Sequence, residues 1–118
     1  MLPIKEEFNN ITNKELVMIV SKKEKLNVNY YPILAKRINE ENLFEKFLLD
    51  EISSENNMNE IFFGFVKIAW LPLLSILEFT QSPYIEKAVN LFKEWPKSER
   101  QNFLKYIEHE ENLIKYFE

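Results

Sequence analysis

A single glycine, Gly64, serves all 118 residues, and no other feature so narrows what this chain can fold into. Soluble proteins usually carry roughly 7% glycine. Tight turns and β-hairpins draw on it because it accepts positive φ without steric cost. A strand-rich fold would have to use asparagine in its place; thirteen are present, and asparagine is the next most tolerant residue there. Helix interiors make no such demand. Eighteen of the nineteen acids are Glu, a better helix former than Asp. Hydrophobic residues make up 46% of the chain, including ten Phe, five Tyr and two Trp, enough to fill one core largely with rings. The expectation is an all-α fold: an irregular bundle or a short stack of helical hairpins, six to seven helices in one domain over residues 1–118.

Start and stop signals divide the chain accordingly. Thr12 and Glu15 form a capping box and predict a helix over 13–25, with Lys22, Lys23 and Lys25 at its negative end. Pro32 suits the first turn of a second helix over 31–40. Asn42 and Glu45 resemble another cap pair and open a third over 43–53, with Leu43, Phe44, Phe47, Leu48 and Ile52 at helical spacing. SSENNMN, 53–59, reads as a loop. The run 61–79 has fourteen apolar residues in nineteen, on all sides of a helical wheel. Lys67, Pro72, Ser75 and Glu78 argue against a membrane span, so two buried helices, 58–70 and 72–80, are expected, divided at Pro72. Ser82-Pro83 reads as N-cap and first residue of a helix reaching Trp95. Ser98 with Gln101 opens the last, which either breaks near Asn112 or carries Glu110 at the edge of its apolar face.

The same composition excludes most chemistry. Cysteine is absent, Asp50 is the only aspartate and His109 the only histidine. Neither H-E-x-x-H nor E-x-x-H surrounds His109, so it reads as a solvated residue on an acidic segment. One glycine cannot build a P-loop or a dinucleotide fingerprint, and G-x-S-x-G does not occur. No catalytic residue, cofactor or metal is expected. Adjacent carboxylates at Glu6-Glu7, Glu40-Glu41, Asp50-Glu51 and Glu110-Glu111 point about 100° apart on a helix and do not converge.

The net charge is −4 and is spread evenly, −2 in each half, with no basic stripe for nucleic acid. The first ten residues lack the basic and apolar regions of a secretory signal, so a cytoplasmic location is expected. A small, acidic, cofactor-free domain of this kind suits a protein that covers another protein. The expectation is an inhibitor of the bacterial immunity-protein or antitoxin kind, neutralising a nuclease toxin by meeting its basic active-site surface, as monomer or dimer. The candidate partner-binding residues are Glu108, Glu110 and Glu111 with Tyr116, and Glu40 and Glu41 with Asp50 and Glu51. The alternative is a structural or regulatory helical module, self-associating or built into a larger assembly. It predicts an exposed apolar patch, most naturally at Phe62, Phe63 and Phe65.

Overall fold

The computed structural model of the chain describes residues 10–22 and 24–118. It is mostly helical, 63% helix against 5% strand. The described residues form eight α-helices, one more than the upper expectation, together with a closing 3-10 turn and a two-stranded hairpin that makes all-α only approximate. The Glu6-Glu7 pair and Lys23 lie outside the described residues.

The first helix, α1 (Asn13–Ser21), begins as its capping box dictates: the Thr12 hydroxyl accepts from the Glu15 N–H at 3.1 Å. It stops four residues before the expected end. The Ser21 hydroxyl donates to the Val17 carbonyl, competing with the helical ladder, and the backbone is extended at Lys22. Lys22 and Lys25 therefore follow the helix instead of closing it. An Asn27–Asn29 Asx turn leads into α2 (Tyr30–Lys36), which buries Tyr31 to Ala35 and ends short of residue 40. The next helix, α3 (Asn42–Ile52), buries Phe44, Leu48 and Ile52 at the expected spacing. Glu41, not Asn42, takes its N-cap position, without a side-chain bond.

The stretch read as a loop holds a helix, α4 (Glu55–Asn59), because the Ser54 hydroxyl caps the Asn57 N–H at 3.2 Å. The helix expected over 58–70 is replaced by strands β1 (Ile61–Phe63) and β2 (Val66–Lys67). Aromatic and β-branched residues on both sides of Gly64 favour extended backbone, and glycine supplies the turn. Pro72 does not divide helices. It is the third residue of α5 (Trp70–Phe79), in the first turn, where a missing N–H leaves no bond unmade.

Two more expected starts shift. Pro83, joined to Ser82 by a cis bond, occupies the N-cap position of α6 (Tyr84–Phe92), and the Ser82 hydroxyl donates to Glu86 instead of capping. Pro96 precedes α7 (Lys97–Tyr106), which places Ser98 inside the helix and dissolves the second capping box. The last apolar stripe breaks before Asn112: α7 ends at Tyr106, Glu110 caps α8 (Glu111–Ile114), and a 3-10 turn, Lys115–Phe117, closes the chain.

The core forms around α5. All of residues 70–77 are buried, and the helix touches α2, α3, α6, α8 and β2. A helix apolar on every side must be enclosed by its neighbours. Its one buried polar side chain, Ser75, is satisfied by donating to the Leu71 carbonyl at 2.8 Å. Trp70, fully buried, packs its ring edge-on against Phe103 at 5.5 Å between centroids. Trp95 ties α6 to α3 by donating its indole N–H to the Ile52 carbonyl at 3.1 Å. No helix among the described residues is long and apolar enough to cross a membrane.

Replacing Trp70 by alanine is expected to cost about 3–5 kcal/mol, read from urea unfolding followed by circular dichroism. A loss below about 1 kcal/mol would remove Trp70 from the core.

Candidate protein-binding surface

The hairpin turns through Gly64 and Phe65. Gly64 has φ +55°, the sign a two-residue hairpin needs at its first central position. A Cβ there would meet nothing within 4 Å, so the requirement for glycine is conformational, not steric. Ile61 faces Lys67 and Phe63 faces Val66, with a bulge between the two pairs. Val66 and Ile68 turn inward. Ile61, Phe62, Phe63 and Phe65 do not: they are 58%, 44%, 59% and 57% exposed. Among the described residues only Met18 is a comparably exposed large apolar side chain, and it stands on α1. At roughly half exposure, four side chains of this size present about 400 Å² of apolar surface. The largest apolar patch on a monomeric protein is commonly about 300–600 Å² and is often functional.

The hairpin is held rigidly at its base. Phe65 sets its ring edge against Trp70 at 5.8 Å and Tyr106 at 6.0 Å. The Trp70 indole N–H donates to Glu99 Oε2 at 3.2 Å, and Glu99 Oε1 lies 3.6 Å from the Lys67 ammonium, both groups largely shielded. Ile68 donates its backbone N–H to the Glu60 carbonyl and Ala69 to that of Asn57. Lys25 pairs with Glu60 at the other side. Beside β1 lies an open hollow of about 390 Å³, lined in part by Leu26, Val28, Ile61 and Phe62.

A larger polar cleft, about 730 Å³, opens between the segment after α1 and the α3–α4 corner. At its floor the buried Tyr31 hydroxyl donates to Glu51 Oε1 at 2.8 Å. Burial, then the Glu51 charge and this hydrogen bond, and finally the Glu60 charge push the Tyr31 hydroxyl well above its ordinary value near 10. A phenol held protonated in this way is a fixed donor that braces α2 against α3.

The predicted acids fall on separate elements. Glu40 and Glu41, both exposed, join α2 to α3, and Glu40 accepts from the Asn13 amide at 3.0 Å. Asp50 pairs with Lys46 at 2.8 Å, and Glu51 is turned toward Tyr31. Glu108 and Glu110 are exposed in the turn from α7 to α8, and Glu111 is exposed at the start of α8; the turn begins just past Tyr106, whose ring Phe65 touches. His109 beside them is 93% exposed, its Nε2 3.4 Å from Glu108. Tyr116 is half-buried against the core, with Lys115 over its ring. Among the described residues no three His, Asp or Glu side chains gather into a group that could hold a metal ion.

Against known proteins, the chain matches no family model, no curated protein and no solved structure. The hairpin had a readable signal: F-F-G-F with flanking Ile and Val is a strand–turn–strand pattern, masked by the apolar run it opens. The Tyr31–Glu51 bond, joining residues twenty apart on two helices, had none.

Because the Tyr31 hydroxyl loses its proton less readily when folded, its contribution to stability is complete below the unfolded value near 10 and declines as pH rises beyond it. Tyr31→Phe is expected to cost about 1.5–3 kcal/mol at pH 7, as a bond to a charged group. It should also flatten the fall in stability above pH 10, measured as urea midpoints from pH 7 to 11. An equally steep fall in the variant would assign it to other groups.

Proposed function

We propose that this chain is a protein-binding module without a catalytic role, and that the hairpin from Ile61 to Phe65 is its anchor. One observation carries the reading: four large apolar side chains, each about half exposed, stand together on a hairpin whose base is fixed to the core. Rigid aromatic side chains lose little conformational freedom on docking and dominate the energetics of protein contacts.

The inhibitor expected from the sequence is the more specific form of this reading. What supports it is the net charge of −4 and the exposed Glu108, Glu110 and Glu111, which come just after Tyr106, the ring that Phe65 touches. An apolar anchor with acids to one side suits a basic partner, such as the active-site surface of a nuclease toxin. Glu40, Glu41, Asp50 and Glu51 lie on other elements, and Asp50 and Glu51 already have partners in the chain. They belong to the proposed surface less readily.

The test is recovery from a native extract at low salt with tagged chain as bait. Phe63→Asp should abolish stoichiometric capture of a second chain while leaving circular dichroism unchanged. Glu110→Lys with Glu111→Lys should weaken capture of a basic partner most at low salt. Capture unaffected by Phe63→Asp would overturn the hairpin as anchor. Capture unaffected by the charge reversals would remove only the acidic turn.

A further inference from the structure

We propose that the hairpin's own occupant is the hairpin of a second copy, giving a twofold dimer. This rests on the hairpin being the protein-binding anchor and names what it binds.

Three observations carry it. The first is area. Two copies bring about 800 Å² of exposed apolar surface together, from four side chains each at roughly half exposure. Protein interfaces are a little over half apolar, so a contact with that apolar content totals roughly 1,400 Å². That lies within the 1,200–2,000 Å² of stable specific interfaces.

The second is local charge. The chain is acidic overall, yet the groups at the base of the hairpin are matched: Lys25 with Glu60 on one side, Lys67 with Glu99 on the other. These two pairs leave no net charge of their own at the hairpin's base. Glu108, Glu110 and Glu111 come just after Tyr106, the ring that Phe65 touches. At ordinary ionic strength, exposed charges beyond about 8–10 Å are largely screened.

The third is the kind of contact the hairpin permits. A three-residue β1 with a bulge is a poor template for strand addition. The side chains, not the backbone edge, must carry the contact. Aromatic rings around a twofold axis satisfy themselves, because an isologous interface sets the same patch against itself. Phe62 and Phe63 already stack edge to face, at 5.6 Å, and have no other ring partner among the described residues. That leaves their outer faces for the same two rings of the partner.

The test is the mass of the purified chain alone, by sedimentation equilibrium across micromolar to millimolar concentration, for the native sequence and for Phe62→Asp and Phe63→Asp. The expected result is twice the chain mass at micromolar concentration for the native sequence, with dimer formation weakened at least tenfold or abolished by either substitution. The dimer constant should change less than about threefold between low and high salt, because the contact is apolar and the charges at the hairpin's base are paired. Both variants should keep the native circular dichroism, since both side chains are exposed; if one fails to fold, the other decides. A native chain that stays monomeric to about 1 mM overturns the dimer. So does a dimer indifferent to both substitutions. Monomeric chain whose capture of a different protein still depends on Phe63 would overturn this inference alone and leave the binding module standing. Monomeric chain with hairpin-independent capture would remove both.

Discussion

The indole of Trp70 is the point on which the rest of the molecule turns. Its N–H donates to Glu99, and its ring lies against Phe65, Phe103 and Tyr106. Through these contacts it fixes three things at once: the start of the central helix α5, the face of α7, and the seat of the hairpin. A buried Trp requires a partner for its N–H, and here that partner is an acid which also lies beside Lys67 of β2. The residues immediately before Trp70 are therefore drawn inward at Val66, Ile68 and Ala69, while Ile61, Phe62, Phe63 and Phe65 stay exposed.

That division explains how a hairpin so apolar stands in solvent. Residues 61–79 look like one hydrophobic unit, but only its second part is core. The first part is anchored at one end and left exposed at the other. Gly64 permits the reversal, and Phe65 hands the turn back to Trp70. A short, bulged strand limits the aggregation that an exposed edge invites, so apolar side chains can be displayed without offering a long template for strand addition. The helices supply rigidity; Tyr31 bonded to Glu51 and Trp95 bonded to the Ile52 carbonyl brace them across the core.

How far the sequence revealed this depends on the range of the signal. Thr12 with Glu15, and the Phe44–Leu48–Ile52 spacing, are local, and the structure follows them. Pro83 and Pro96 stand at the N-cap positions of helices, whereas Pro72 lies in the first turn of one helix instead of between two. A proline tolerates both the N-cap and any residue of the first turn, and nothing local decides between them. The error over 58–70 has a different source. Apolar residues on every side of a wheel suit a buried helix and a half-buried hairpin equally well, and the best sign of the hairpin is the position of the lone glycine, not its rarity. The acids were visible as residues but not as a surface: which of them are spoken for, as Asp50 is by Lys46 and Glu51 by Tyr31, is settled only by packing across the fold.

The central claim, that the core holds an aromatic hairpin outward, is tested most directly by hydroxyl-radical footprinting of dilute protein with mass spectrometry. Phe62, Phe63 and Phe65 should oxidise readily, while Phe44, Phe103 and Trp70, all fully buried, stay protected until the chain unfolds. Hairpin phenylalanines as protected as Phe103, at a concentration where the chain is monomeric, would mean that residues 61–65 are core after all.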